Sequence, residues 1–498
     1  MIILQKKMPI FYSALLLTGV NLMLRLFGTS FQVFISAKIG AEGIGLLQLV
    51  LSVGAVCTTL GMSGIRTGSM YLSAEELGRR RPENIRYILS GCFTYSILIT
   101  CTVSVLLYVF APFIADKWIS HPQTVTALRT FSFFIPVNCL CGVMVGYFTA
   151  ANRIGSLALV EIAEQLTSMI LTASLLILWA KQDSARACQA IVLSSGIGSC
   201  LTLCCLIILR CKVTIPGGKR IPVRNRLLKV AVPLALADDL KAGINTTENF
   251  MVPKRLALFK GSIEPLAAFG TVCGMVFPVL MFPAAILYGL AELLIPELAR
   301  CTAAGSHKRI SYLTRRSLRI AMLYGCLFAG LMFISADPLC NKLYGNALAG
   351  HWLKRYSIMI PMLYCDAITD AITKGLGQQA YCVRYNIITS FMDVVLLFFL
   401  LPQYGMTGYY ISFLMTHALN FGLSLKRLMV ITEKSLSLLN PVLTVISTAV
   451  SIVFSIMIPN KFIACALYPI LLGCLLTLCR IIGKEDILWL KNLVFYQK

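Results

Sequence analysis

Charge is what this sequence has least of. Only 13% of its 498 residues are Asp, Glu, Lys or Arg, against 58% hydrophobic, and the mean hydropathy is +0.80. That balance excludes a soluble globular domain, which carries about 25% charged residues. Acidic residues are the scarcer sign, 21 against 44 basic, for a formal net charge of +23. The excess base does not mark a nucleic-acid binder, because it lies in short turns between apolar runs, where a membrane surface accounts for it. Histidine is nearly absent, and His121, His307, His351 and His417 are scattered. There is no His-Glu-x-x-His, no phosphate-binding Gly loop with Lys-Ser/Thr and no nucleophile elbow. Nothing therefore nominates a catalytic centre, a metal, a cofactor or an ATP site, and the expectation is a transporter rather than an enzyme. Cysteine is not scarce at 19, but no Cys-x-x-Cys occurs, and residues such as Cys200, Cys204 and Cys205 sit inside apolar runs as small core residues.

What is there is a succession of apolar runs of about 20 residues. In lipid every backbone polar group must be satisfied within its own segment or a closed barrel, and runs of this length mean helices. The expected fold class is an all-α polytopic membrane protein of about 14 transmembrane helices, at roughly 8–36, 44–73, 86–112, 124–150, 156–180, 187–209, 228–253, 263–298, 316–336, 352–374, 382–401, 406–425, 440–458 and 462–481. Lys6 and Lys7 before the first run resemble the start of a signal peptide, but the run continues past Arg25 and is read as a retained first helix. With both termini in the cytoplasm, the inner turns hold 29 bases and the outer turns 12, leaving Arg25, Arg66 and Lys241 at membrane depth. That asymmetry satisfies the positive-inside rule and predicts a multi-pass membrane protein with both termini in the cytoplasm.

The chain also repeats itself. Pro9 and Pro233 each open an apolar segment and are followed twelve residues later by Asn21 and Asn245, in Thr18-Gly19-Val20-Asn21 and Ala242-Gly243-Ile244-Asn245. The offset of 224 persists within one residue through Gly45 and Gly270, then Ile85 and Ile310. In membrane chains such a repeat points to a transporter of related halves. Between them, Pro216-Gly217-Gly218 and Pro222 give residues 213–225 the composition of a cytoplasmic basic linker. The expected division is an N-terminal lobe at 1–212 with helices 1–6, a C-terminal lobe at 226–428 with helices 7–12, and 429–498 as two further helices with a cytoplasmic tail.

A charge at bilayer depth costs about 3 kcal/mol unless it meets a partner or water, so the buried ionisable residues are the informative ones. The first half offers Arg25, Arg66, Glu161 and Glu164. The seventh helix carries Asp238, Asp239, Lys241, Asn245 and Glu248, and spacing of three and four places Asp238, Lys241, Asn245 and Glu248 along one polar stripe that can face an aqueous cavity. Farther on, Asp366 and Asp370 lie one turn apart and Asp393 stands alone. The plainer alternative for each is an interhelical ion pair or a group snorkelling to the interface, above all for Glu161, Glu164, Glu292 and Glu297. Arginine suits a pyrophosphate, because its planar fork offers paired donors and keeps its proton. Carboxylates suit protons, sodium or organic cations. Pro136, Pro278, Pro283, Pro296 and Pro361 interrupt expected helices and predict kinks, which suit a cavity that opens alternately. Gly142 with Gly146 reads as ordinary close helix packing.

The run Arg25-Leu26-Phe27-Gly28, then Ile39-Gly40-Ala41-Glu42-Gly43-Ile44-Gly45-Leu46, Gly64-Ile65-Arg66 and Ser73-Ala74-Glu75-Glu76 resembles the opening of the polysaccharide flippases of the multidrug/oligosaccharidyl-lipid/polysaccharide exporter superfamily, in particular the stage V sporulation protein B branch. Further similar stretches are Gly146-Tyr147-Phe148-Thr149-Ala150-Ala151, Glu164-Gln165, Ala231-Val232-Pro233, Phe282-Pro283, Leu294-Ile295-Pro296-Glu297-Leu298 and Gly375-Leu376-Gly377-Gln378. The resemblance implies two six-helix lobes around a central cavity, two extra C-terminal helices and alternating access. It also implies that cavity arginines hold a diphosphate, with Arg25 at one of their positions. Phe31 stands at another, and Pro278 falls near an eighth-helix one, which sets the chain apart from lipid II flippases.

The leading expectation is a flippase for an undecaprenyl-diphosphate-linked saccharide, a peptidoglycan precursor or another cell-envelope or spore-cortex unit, with Arg25 and Arg66 on the diphosphate. Membrane potential, protons or sodium would drive it through Glu248 or Asp238. Its partners would be the lipid-linked saccharide, membrane lipids and cell-wall synthases. An ion-coupled exporter of organic cations is the alternative on the same fold, and a non-transporting scaffold for envelope synthesis is the third reading.

Overall fold

The computed structural model describes residues 10–479 and 481, apart from 63, 80, 152, 181–182, 212–222, 262–263 and 433–438. Among the described residues every regular element is helical and there is no strand. In chain order the α-helices are α1 Ile10–Met62, α2 Ile65–Gly78, α3 Ile85–Phe113, α4 Val125–Ala150, α5 Ile154–Leu175, α6 Ser184–Cys211, α7 Val223–Leu256 and α8 Pro265–Gly270. They continue as α9 Phe277–Met281, α10 Ala284–Ala303, α11 His307–Tyr344, α12 Ala347–Ser357, α13 Ile360–Gly375, α14 Gln379–Tyr404, α15 Met406–Thr432, α16 Leu439–Ile456 and α17 Lys461–Leu478. Eight described helices are long and apolar enough to cross a membrane, or nine when the bent pair Pro265–Met281 and Ala284–Ala291 counts as one span. Four expected spans are not among them: those in α7 and α15, diluted by polar residues such as Asp238, Lys241, His417 and Asn420, that at 352–374, divided between α12 and α13, and that at 440–458, where the apolar helix is shorter.

The helices are built inside out relative to a soluble bundle. On α3 the inward stripe is Ile88, Cys92, Ser96 and Thr100, while Leu98, Val105 and Val109 are 71%, 62% and 62% exposed. In water such a face would be an aggregation patch; against acyl chains it costs nothing.

The chain forms two compact units. The first comprises Met1–Gly274 with Ser390–Tyr409. Helix α4 is its hub, packing on α2, α3 and α6 around Ile65, Leu72, Ile88, Val143, Phe148 and Leu206. Helix α1 contains a break where Gly40 adopts φ 71°, left-handed backbone that glycine takes without strain, and this is where the first expected span gives way to the second. The second expected span, 44–73, is itself broken between Met62 and Ile65 by Gly64 at φ 68°. A side chain there would also collide with α7, since a Cβ would fall 2.4 Å from the Ala231 carbonyl oxygen. The repeat-matched Gly45 and Gly270 face one another: a Cβ on Gly270 would lie 2.6 Å from the Gly45 nitrogen. Polar interhelical bonds add to this packing, each worth about 0.6 kcal/mol in membranes. Ser69 donates to the Val143 carbonyl at 2.9 Å, and Asn249 of α7 to Ser52 of α1 at 2.8 Å. At the end of α3 the Trp118 ring packs between Phe113 and Phe250, while Lys254 donates to the Lys117 carbonyl.

The second unit comprises Met275–Thr389 with Tyr410–Lys498. Helix α11 is its spine, carrying α12, α13, α16 and α17. Buried tyrosines serve carbonyls that irregular or tightly packed backbone leaves available. The expected kink at Pro283 is present as a 63° bend. There Tyr324 donates to the Pro283 carbonyl at 2.8 Å and Tyr364 to the Leu280 carbonyl at 3.1 Å. Tyr468 of α17 reaches the Cys326 carbonyl of α11 at 2.8 Å through the gap left by Gly330. Pro361 stands in the first turn of α13, where a missing N–H is harmless, whereas Pro278 follows directly on a π-helical stretch, Thr271–Val276, inside the continuous segment Pro265–Met281. Pro136 departs from expectation, because α4 runs through it without a break. Helix α10 likewise runs through Pro296.

Candidate functional site

The first unit encloses a cavity of about 480 Å³ between α1, α5 and α6. Its polar lining comes from Gln32 on α1, Glu161, Glu164, Gln165 and Ser168 on α5 and Ser195 on α6; Leu24, Phe31, Ile35 and Met169 supply apolar wall. Spacing explains the grouping, since residues 161, 164, 165 and 168 recur at three and four along one helix face. Helices α5 and α6 stand this close because Gly198 carries no side chain: a Cβ there would fall 2.1 Å from Ser168 Oγ. Glu164 is fixed, accepting from Thr202 Oγ1 at 2.7 Å and Ser199 Oγ at 3.1 Å. Glu161 makes no hydrogen bond or ion pair with a described residue, but it lies within electrostatic reach of Arg66.

Arg66 sits in the first turn of α2, just after the Gly64 break. Gly142 and Gly146 on α4 let this turn approach closely, a Cβ at 146 falling 2.4 Å from the Arg66 carbonyl oxygen. The Arg66 side chain is exposed and forms no hydrogen bond or ion pair with the described residues. Arg25 lies on α1 three residues before Gly28, and its side chain is outside the described residues.

The polar stripe of α7 divides. Asp238, Lys241 and Asn245 are exposed, and no ion pair joins Asp238 to Lys241. Glu248 turns inward and lies within hydrogen-bonding reach of Asp393 of α14, within the same unit. Asp393 is therefore not solitary, as its sequence position implied; it is 7% exposed and belongs to a carboxyl pair. Two carboxyl groups can hydrogen-bond only when one carries a proton, because an ionised carboxylate has no donor. Cys273 and Tyr409 stand beside this pair, their polar atoms 3.6 Å apart.

Other expected candidates resolve into local partners. Glu297 pairs with Arg309 at 2.6 Å and Arg300 at 3.5 Å. Asp366 accepts from Asn420 at 3.0 Å, and Asp370 pairs with Lys374 at 2.5 Å. The side chain of Glu292 is outside the described residues. A clasp that sequence reasoning missed joins the start of α7 to the end of α2. Arg226 reaches Glu75 at 2.7 Å and Glu76 at 3.0 Å, while Asn84 donates to Glu76 at 2.8 Å. The missed cavity residues Gln32 and Gln165 are neutral, and a search confined to charges passes over them. Among the described residues no group of His, Cys, Asp and Glu could hold a metal ion.

The family model described as polysaccharide biosynthesis protein matches residues 11–236. Stage V sporulation protein B of Bacillus subtilis (strain 168) is 23% identical over 408 residues, covering 79% of this chain and 78% of that protein. The family resemblance is borne out. Among solved structures, the lipid II flippase MurJ in an inward closed conformation has a TM-score of 0.71 at 12% identity, covering 95% of this chain and all of that one. An inward-facing multidrug resistance MATE family transporter of the MOP superfamily has a TM-score of 0.64 at 11% identity, covering 85% of this chain and all of its own. The fold is thus shared with these two transporters, an all-helical multi-pass membrane architecture.

Proposed function

We propose that this protein is a flippase that moves an undecaprenyl-diphosphate-linked saccharide of the cell envelope from the inner to the outer leaflet of a bacterial cytoplasmic membrane. The observation that carries the reading is Arg66, an exposed arginine within the apolar stretch Leu26–Leu77 that has no hydrogen bond or ion pair among the described residues, beside a polar cavity in a chain similar to a sporulation protein and to a lipid II flippase. Its guanidinium has Glu161 in electrostatic reach but no hydrogen bond or ion pair among the described residues, so its paired donors are open to an anion. Arg66, together with Arg25, would grip the diphosphate while the polyprenyl tail stays in lipid. Rocking of the halves 1–212 and 226–428 would then expose the headgroup to the opposite side. The Glu248–Asp393 pair would couple the cycle to protons or sodium, since a pair that shares one proton can exchange it for a cation.

The test is transfer of a labelled undecaprenyl-diphosphate saccharide between leaflets of proteoliposomes under an imposed potential. Arg66→Ala is expected to slow transfer at least tenfold, since a charge-assisted bond to phosphate is worth about 1.5–3 kcal/mol. Wild-type vesicles that move no such lipid would overturn the reading. An exporter of organic cations is the second reading, favoured by the carboxylates Glu161 and Glu164 in the cavity. It requires gradient-driven cation efflux that Glu248→Gln blocks and Arg66→Ala spares.

A further inference from the structure

We propose that the first unit's cavity is a saccharide subsite, in which Glu161 accepts hydroxyl hydrogen bonds from the sugar nearest the diphosphate. This rests on the flippase reading and names what that reading leaves open, the place of the headgroup's sugar. Three observations converge. The cavity holds about 480 Å³, within the range of small-molecule sites. Its walls combine acceptor and donor side chains, Glu161, Gln165 and Ser168, with apolar surface that includes Phe31. Sugars present that same combination, hydroxyls around the rim and apolar C–H faces above and below.

The second observation is that the two carboxylates differ in state. Glu164 is occupied by Thr202 and Ser199, whereas Glu161 lines the cavity with no hydrogen-bond partner among the described residues. A half-buried carboxylate has up to four acceptor positions to fill, and sugar hydroxyls are donors that fill them without bringing charge.

The third observation is position. Arg66 lies within electrostatic reach of Glu161, so a diphosphate on Arg66 delivers the directly bonded sugar to Glu161.

The experiment uses the full-length protein in lipid nanodiscs and two short-chain probes, citronellyl-diphosphate-N-acetylglucosamine and citronellyl diphosphate without sugar. Wild type is expected to bind the sugar-bearing probe about tenfold more tightly, and Glu161→Ala to erase that ratio while leaving the sugarless probe within about twofold. Glu161→Gln, whose amide oxygen still accepts, should keep part of the preference. Arg66→Ala should weaken both probes by the same factor. A wild type that binds both probes equally overturns the subsite and leaves the flippase reading standing. So does a Glu161→Ala variant that keeps the ratio, or one that weakens both probes alike. A wild type that binds neither probe overturns both proposals together.

Discussion

At the scale of single residues, the chain spends few polar side chains and places most of them in pairs. Glu297, Asp366 and Asp370 answer nearby partners. Glu161 and Arg66 stand apart because neither has such a partner, and Glu248 because its partner is another acid. If Glu248 and Asp393 act as one proton-sharing unit, removing either should cost as much as removing both. Glu248→Gln and Asp393→Asn are therefore expected to lower gradient-driven transfer by similar factors, with the double variant no slower than the worse single one. Additive losses in the proteoliposome assay would mean that the two act separately. The sequence exposed Glu248 readily, as a charge in an apolar run. It could not expose the pairing, because 145 residues separate the partners and only the packing of α14 beside α7 brings them together.

At the scale of elements, breaks matter as much as helices. Hydropathy located the apolar runs and the turn at Gly40 but read 44–73 as one segment, because window averages see composition and not backbone conformation. Gly64 combines a left-handed φ with a carbonyl of α7 in the space a methyl group would need. Gly64→Ala should therefore cost at least about 1–3 kcal/mol, read as a lower melting temperature in detergent. Gly243→Ala is the control, since a Cβ there meets nothing within 4 Å and alanine favours the helix by about 0.5–1 kcal/mol. Equal melting temperatures would show that the break tolerates a side chain. Proline was the poorer guide, since it bends the chain at Pro283 but passes through α4 at Pro136. A break needs the freed carbonyls to find other donors, and Tyr324 and Tyr364 supply them only around the first. The clasp of Arg226 on Glu75 and Glu76 ties the start of α7 to the end of α2. Glu76 is 2% exposed, so Arg226→Ala leaves it with Asn84 as its remaining close partner. Faster amide exchange at both helix ends, equivalent to about 1–3 kcal/mol, is the expected result.

At the scale of the whole molecule, the fold class was legible because lipid leaves so few options: apolar runs of fixed length, bases in the turns and no edge to a sheet. The family resemblance was legible because the short motifs that carry it keep their order from Arg25 to Gln378. The cavity was only half legible. Its acids declared themselves as charges, while Gln32, Ser168 and Ser195 look like ordinary helix residues until three helices bring them around one space. Moving parts are harder still to read from a chain, yet this one carries its own optical label. Trp118, one of four tryptophans, rests on Phe250 of α7, the helix that also bears Glu248. With Trp179, Trp352 and Trp489 replaced by phenylalanine, its emission would report the environment at that end of α7. A transport cycle that shifts the helix would then be visible as colour, in real time and without an attached dye.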